Sequence, residues 1–396
     1  MRRVPTLYVA RFNPFDEKFT PSMNRNVTLY LLLFCSLVAL KKASAQFLTM
    51  PTEGVVTKKA TVGERIALTD VMIHYDRPAL QGREGKIWGQ LVYYGFQDQG
   101  FGTSKQAPWR AGANENTTVQ FSTDVQVEGR LLPAGKYALF MAVYPDSVLV
   151  IFSKNTASWG SYFYDPAEDA LRVTVRPVKD QPLTERLTYE FLDQTDRAAT
   201  VALRWERWKI PFRVEVDLEK TIIASFRNEL RGERGFEWQA WNRAAAYALR
   251  SNFNLEEALD WAEKAISAPY VGEANFTTLS TKAELLERLG RSTEAAAVRR
   301  EAVDLGTMQE LHVYARQLLN QKKAPEALEI FKLNAQRHPN QFTTNVGLAR
   351  GYSATGDYKN ALKFARQALP QAPDAANRSS LETMIEQLGK GQPLSE

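Results

Sequence analysis

The sequence predicts two folded parts in tandem: an antiparallel β-sandwich, jelly-roll-like, followed by an α-helical solenoid of paired helices. Three observations carry the prediction. Short runs of alternating apolar and polar residues fill the first half, as in Leu171-Arg172-Val173-Thr174-Val175, and a period of two marks a strand with one dry face. After Asp217 the period lengthens to that of an amphipathic helix. In this second half Ala258, Ala295, Ala327 and Ala361 recur at intervals of 37, 32 and 34 residues. A chain of 396 residues also exceeds what one hydrophobic core usually serves.

The β-domain is expected over residues 50–218. From Ile66 onward, strand-like sets follow one another. Leu187, Tyr189 and Phe191 alternate with Thr188 and Glu190, and Val201, Leu203 and Trp205 with Ala202 and Arg204. Phe212, Val214 and Val216 alternate with Arg213 and Glu215. Each set puts one row of apolar side chains on one face of a strand. Val148 to Phe152 is apolar throughout, the pattern of a central strand covered on both faces. Leu132-Pro133-Ala134-Gly135 and Tyr144-Pro145-Asp146-Ser147 sit between such sets, where Pro, Gly, Asp and Ser suit tight turns. Roughly eight to ten strands without helical patterns between them indicate an antiparallel sandwich.

A set of motifs runs through this segment in order. They are Asp76-Arg77-Pro78, Ile87-Trp88-Gly89, Trp109-Arg110-Ala111-Gly112-Ala113-Asn114-Glu115, Phe121-Ser122-Thr123-Asp124-Val125, Leu132-Pro133-Ala134-Gly135, Trp159-Gly160-Ser161 and Leu203-Arg204-Trp205-Glu206. With them, residues 50–218 resemble domain of unknown function 2911, a family of exported proteins largely from Bacteroidetes. The resemblance implies a bacterial source and an envelope location, and it implies no activity. Gly95 to Pro108, rich in Gly and Gln, departs from the family pattern. It reads as an insertion that lengthens a loop beside Trp109-Arg110.

Thr221 to Leu230 reads as a connecting helix ended by Gly232, within a connector at 219–236. Helical repeats are expected over 237–390. Their second helices are clearest: Leu255 to Ala265, Thr293 to Ala302, Pro325 to Phe331 and Lys359 to Ala368. A small residue at each recurring alanine lets the two helices of a hairpin approach closely. Pro269, Pro339 and Pro373 then end second helices. Gly356-Asp357-Tyr358 reads as the turn within a hairpin. The period and the turns resemble tetratricopeptide repeats, in which each hairpin buries its apolar stripe by stacking on the next. Trp241 falls at a first-helix aromatic position of that pattern, and the second repeat lacks both that aromatic and the closing proline. The resemblance implies a groove for a protein or peptide partner.

Residues 1–45 read as a leader, with Met23 the expected start. Arg25 precedes the apolar run Val27 to Leu40, and Ala43-Ser44-Ala45 precedes Gln46. This order fits a secretory signal peptide at 23–45, and the run is shorter than the roughly 20 residues of a membrane span. Lys41-Lys42 between the run and the cleavage site is unusual, so retention of 27–40 as a membrane anchor is the alternative. The leader holds seven basic and two acidic residues and with them the whole net charge of +5, leaving 43 of each sign. A balanced chain has no general attraction for nucleic acid or anionic lipid. Cys35, the one cysteine, lies in the leader, so the exported chain would carry no disulfide and no thiolate metal site. His74, His312 and His338 are far apart in sequence, and neither metal nor cofactor is expected.

Trp109, Arg110, Asn114 and Glu115 form the leading candidate site, four interacting side chains around Ala111-Gly112-Ala113. An arginine can fork onto a carboxylate, and a tryptophan can stack on an apolar ring face. The competing reading pairs Arg110 with Glu115 and makes Trp109 an edge plug. Arg77 and Lys86 could join a basic cluster there. Trp159 and Tyr164, with Tyr162 and Asp165, could form a carbohydrate platform or pack the sandwich edge. No G-x-S-x-G, H-E-x-x-H or phosphate-cradling glycine loop is present. The expected function is therefore a binding or scaffold protein of the periplasm or envelope rather than an enzyme. The alternative is an envelope glycan-binding or glycan-acting module centred on Trp109, Arg110 and Glu115.

Overall fold

The computed structural model describes residues 57–394. The leader, with its apolar run at 27–40 and the expected cleavage after Ala45, lies outside the described residues. Eleven strands are present among the described residues: β1 (Lys58–Ile66), β2 (Thr69–Arg77), β3 (Thr118–Phe121), β4 (Val125–Val127), β5 (Arg130–Leu132), β6 (Gly135–Val143), β7 (Val148–Ser153), β8 (Asp169–Val175), β9 (Thr184–Leu192), β10 (Ala198–Glu206) and β11 (Trp208–Glu215). They form two sheets, β1-β2-β3-β6-β7-β8 and β5-β4-β11-β10-β9, and the neighbouring strands pair antiparallel.

The alternating residues are the cause of the sandwich. The alternation is plain in β8, where Leu171, Val173 and Val175 are buried and Arg172 and Thr174 are not. The inner rows of both sheets meet in one cluster that includes Ile73, Leu139 and Val150 from one side and Leu187, Val201 and Phe212 from the other. Phe152 and Phe212 cross it edge to face at 5.9 Å. A fully buried side chain of this size contributes roughly 1.5–3 kcal/mol relative to exposure. β7 is buried on both faces as its apolar run requires. Its Ile151 joins Ala138, Phe140 and Tyr164 in a small outer cluster that also takes in Phe96.

The first strand begins earlier than Ile66. β1 starts at Lys58 and is an edge strand carrying mostly polar residues. The Gly95–Pro108 segment is folded: Gln97 and Ala107 exchange backbone hydrogen bonds of 3.0 and 2.8 Å, and Ser104 N donates to the Tyr162 carbonyl at 2.9 Å. Gly102 has φ +77°, and a Cβ there would run into that same carbonyl, so the loop lies flat on its neighbour only with glycine.

Ten α-helices follow among the described residues: α1 (Leu218–Glu229), α2 (Trp238–Ser251), α3 (Leu255–Ser267), α4 (Phe276–Arg288), α5 (Ser292–Leu305), α6 (Met308–Asn320), α7 (Ala324–Arg337), α8 (Phe342–Ala354), α9 (Tyr358–Ala368) and α10 (Ala375–Gly389). The Asp217 carboxylate caps α1 by accepting from Lys220 N at 3.0 Å, and Glu219 pairs with Arg197 of the β9–β10 turn. α2/α3, α4/α5, α6/α7 and α8/α9 pack as antiparallel hairpins, and α6 also packs directly on α8. Ala258, Ala295, Ala327 and Ala361 are all completely buried, as close helix approach demands. Gly356, at φ +85°, makes the α8–α9 turn, and Asp357 caps α9.

The array is not uniformly packed. Buried side chains of α1 to α5 form one cluster, those of α6 to α8 a second, and those of α8 to α10 a third. The first two meet at a seam between the α4/α5 and α6/α7 hairpins. There Phe276 and Tyr314 touch edge to face at 6.0 Å, and Arg337 donates to the Val303 carbonyl at 2.7 Å and to Asp304 at 3.0 Å. No helix of the described residues is long and apolar enough to cross a membrane.

Candidate functional site

The Trp109–Glu115 segment is held by backbone and side-chain hydrogen bonds at the rim of the sandwich. Trp109 pairs with Met141 of β6 through bonds of 2.9 and 2.7 Å. The chain then turns through Ala111 at φ +50° and Asn114 at φ +55°. The Ala111 carbonyl accepts from Thr117 Oγ1 at 3.1 Å and from Tyr189 Oη at 2.9 Å. The Trp109 indole donates to the Gly112 carbonyl at 3.2 Å. Asn114 donates to Thr57 Oγ1 at 2.7 Å, and its carbonyl accepts from Gly160 N at 3.0 Å. This fixes the backbone of the segment and points Arg110 along Trp159.

Arg110 does not pair with Glu115. Glu115 forms a bridge with Trp159 and is reached by Lys59 of β1, whose Nζ donates to Oε1 at 2.9 Å. That hydrogen bond, with a second from Asp76, pushes the Glu115 carboxyl down to about 2. Asp76, 4% exposed, is held above the usual carboxylate range by burial and then by Glu115. The Arg110 guanidinium is half-buried, with its Cζ 5.5 Å from the Trp159 ring centroid. Burial lowers its pKa, partly offset by Tyr162 and Asp76, and its Nε is buried without a hydrogen-bond partner. Gly160 makes room for it, since a Cβ there would sit 2.8 Å from Arg110 Nη1.

Arg110 and Trp109 line a cleft of about 720 Å³. Trp205 and Tyr162 form further walls, and Gln97, Gln99 and Ser161 line it with amides and a hydroxyl. The Gly95–Pro108 segment supplies both glutamines. Trp205 is 1% exposed, and its indole N–H has no partner.

The remaining candidates do not converge on this cleft. Arg77 donates to the Leu187 carbonyl at 3.0 Å and to Thr188 Oγ1 at 2.7 Å, tying β2 to β9. Lys86 is exposed on a turn away from the cleft lining. Tyr164 is 6% exposed, and its hydroxyl donates to Asp169 at 2.6 Å, so it packs the sandwich rather than forming a platform. Trp159 is exposed and stacks on Tyr162 at 6.0 Å and 10°, at the cleft's edge. His74 pairs with Thr61 across β1 and β2 at 2.8 Å. Among the described residues, no three His, Cys, Asp or Glu side chains are grouped so as to hold a metal ion.

A second site lies in the helical array. A pocket of about 390 Å³ is lined by His312 and Arg316 of α6, Thr343 and Arg350 of α8, and Asn377 and Ser380 of α10. These are the first helices of successive hairpins and the closing helix. Arg350 is half-buried, and its pKa is lowered by burial and then by Arg316. Neither arginine has a carboxylate within salt-bridge reach among the described residues. Burial, helped by both arginines, holds His312 down to about 4, so it is neutral at pH 7. The sequence carries a signal for this pair that the alanine period alone does not use: Arg316 and Arg350 stand 34 residues apart, one repeat period, and Lys282 stands 34 before Arg316.

No curated protein matches the chain. Among solved structures, a TPR protein with an unusual peptide-binding site, YrrB, is 18% identical and covers 42% of this chain and 84% of its own, with a TM-score of 0.27. A tetratricopeptide repeat protein from Parabacteroides merdae is 17% identical over 44% of this chain and 68% of its own, with a TM-score of 0.28. A thermophilic TPR protein from Thermus thermophilus is 17% identical over 43% and 91%, with a TM-score of 0.28. In the first half of the chain, residues 57–214 match the model of a family described as a protein of unknown function, DUF2911, so the resemblance carried by the tryptophan and glycine motifs holds across the β-sandwich.

Proposed function

We propose that the protein is a non-enzymatic scaffold of the cell envelope whose helical array holds an acidic segment of a protein partner. The observation that carries this reading is the Arg316–Arg350 pair on the first-helix face, two guanidinium groups sharing one pocket with no carboxylate among the described residues to neutralise them. Arg350 is half-buried and Arg316 exposed beside it; a second like charge next to a half-buried guanidinium is unfavourable, and an anionic ligand relieves it. Guanidinium is suited to forked hydrogen bonding with carboxylates, and the neighbouring Thr343, Asn377 and Ser380 offer further hydrogen-bonding groups. The stacked hairpins supply an extended surface of the kind repeat arrays use for binding. Export to the envelope is supported by the signal-peptide order of residues 23–45, with a membrane attachment only if 27–40 is retained.

The test is fluorescence anisotropy with a labelled Asp/Glu-rich peptide and a Lys-rich peptide of equal length. The acidic peptide should bind with an affinity that falls as salt rises. The double variant Arg316→Gln/Arg350→Gln should weaken it by about tenfold or more, as expected for lost charge-assisted hydrogen bonds. Equal binding of the two peptides, or unchanged binding by a folded double variant, would overturn the proposal.

A further inference from the structure

The cleft on the sandwich is separate from the helical pocket and has its own chemistry. Three charged side chains line it: Arg83, Asp98 and Arg110. The Arg83 guanidinium is spent on the Leu80 and Ala79 carbonyls at 2.9 and 2.8 Å. Lys105 is paired with Asp98 at 3.2 Å, and Lys59 with Glu115 at 2.9 Å. Arg110 has no salt-bridge partner among the described residues, and its buried Nε lacks any hydrogen-bond partner. Of the two lining guanidinium groups Arg110 is the one not tied to backbone carbonyls, and with the Asp98 carboxylate also in the lining the cleft suits a monoanion better than a phosphate dianion.

The walls narrow the class further. Trp109 and Tyr162 present aromatic surface, which suits the apolar C–H face of a ring. Gln97, Gln99 and Ser161 supply amides and a hydroxyl, which suit several hydroxyl groups rather than a bare hydrocarbon. Gln99 Nε2 already reaches Ser161 Oγ at 3.0 Å, so the polar side of the cleft is pre-arranged. The Trp205 indole N–H, buried at the wall and unpaired, is one more donor for a ligand oxygen. About 720 Å³ is room enough for one or two sugar rings.

We propose that this cleft binds a sugar acid, with its carboxylate on the Arg110 guanidinium, its hydroxyl groups on Gln97, Gln99 and Ser161, and its ring against Trp109 and Tyr162. The proposal is independent of the helical groove, so either can fail alone.

The test uses the full chain and ligand-observed saturation-transfer NMR with glucuronate, glucose and benzoate, and with inorganic phosphate, which has no carbon-bound protons, read as a competitor of the glucuronate signal. Glucuronate should bind saturably and at least about tenfold more tightly than glucose, the difference one charge-assisted contact supplies. Phosphate and benzoate should bind more weakly than glucuronate. Arg110→Gln should abolish the preference for glucuronate over glucose. Should that variant fail to fold, Gln99→Ala, at an exposed position, should weaken glucuronate several-fold and leave benzoate unchanged. No saturable glucuronate binding, phosphate or benzoate binding as tight as glucuronate, or an unchanged preference in folded Arg110→Gln would overturn the proposal, as would unchanged glucuronate binding by Gln99→Ala.

Discussion

The sandwich and the helical array distribute their buried side chains differently. In the sandwich, one cluster of touching residues runs from Ile66 to Val216 and takes in both sheets. In the array, most buried side chains fall into three clusters in chain order, with Leu279, Ala283, Ala302 and Leu311 among those buried outside them. The contrast follows from the pairing rules of each architecture. A sheet joins strands distant in sequence, as when β11 pairs with β4. A hairpin array joins each element mainly to its sequence neighbours. The first should fail all at once and the second piece by piece.

The largest expected effect is in the sandwich. Phe152→Ala removes a fully buried ring that bridges to Phe212, at a cost of about 3–5 kcal/mol. The β signal in circular dichroism should disappear in one transition at lower denaturant, with helical signal remaining. Simultaneous loss of both signals would show that the two halves are one cooperative body.

Acid should act on the array at His312. Its folded pKa is about 4, lowered from an ordinary 6.5 by burial and then by Arg316 and Arg350. The unfolded chain therefore takes up a proton near pH 6.5 that the folded chain refuses until about pH 4. The stabilising contribution is complete above pH 6.5 and is lost as pH falls toward 4, by roughly 2–3 kcal/mol. Urea melts of the helical signal at neutral pH and near the folded pKa should show this loss, and His312→Gln should reduce it. An equal pH effect in the variant would remove His312 from the account.

The smallest effect sharpens the comparison most. Tyr314→Ala takes away the aromatic contact with Phe276 across the seam between the α4/α5 and α6/α7 hairpins, worth about 0.5–1.5 kcal/mol beyond its area burial. The helical melt should broaden or split, and hydrogen exchange should separate α1–α5 from α6–α10. A single sharp melt of reduced midpoint would mean that the seam is as cooperative as the hairpins.

These differences also explain what the sequence could disclose. Rows such as Leu187 and Tyr189 on β9, or the four buried alanines, depend on local period and burial, and both were legible. β1 was not, because an edge strand with Lys58, Lys59, Glu64 and Arg65 lacks a clear apolar row. That omission carried into the site. With Lys59 unplaced, Glu115 looked like the natural partner for Arg110, five residues away, whereas the fold brings Lys59 to Glu115 instead. Arg77 was misleading for the same reason, since its acceptors at Leu187 and Thr188 are close only after β2 and β9 face each other. The Arg316–Arg350 pair needed no long-range topology, only the 34-residue interval applied to charged positions as well as to alanines.

The indole rings of Trp88, Trp109, Trp205 and Trp208 lie within 6.1 Å of one another along their contacts, with Trp88 and Trp208 stacked at 4.8 Å and 17°. Chromophores this close and this rigid share their excited states. The sandwich should therefore carry an exciton signature in circular dichroism that the tryptophans of the array, Trp238, Trp241 and Trp261, do not produce in the same form. Because Trp109 and Trp205 also wall the cleft, a molecule settling there would perturb the coupled rings directly. The protein thus contains an intrinsic optical gauge for occupancy of its own β-domain, readable without any attached dye.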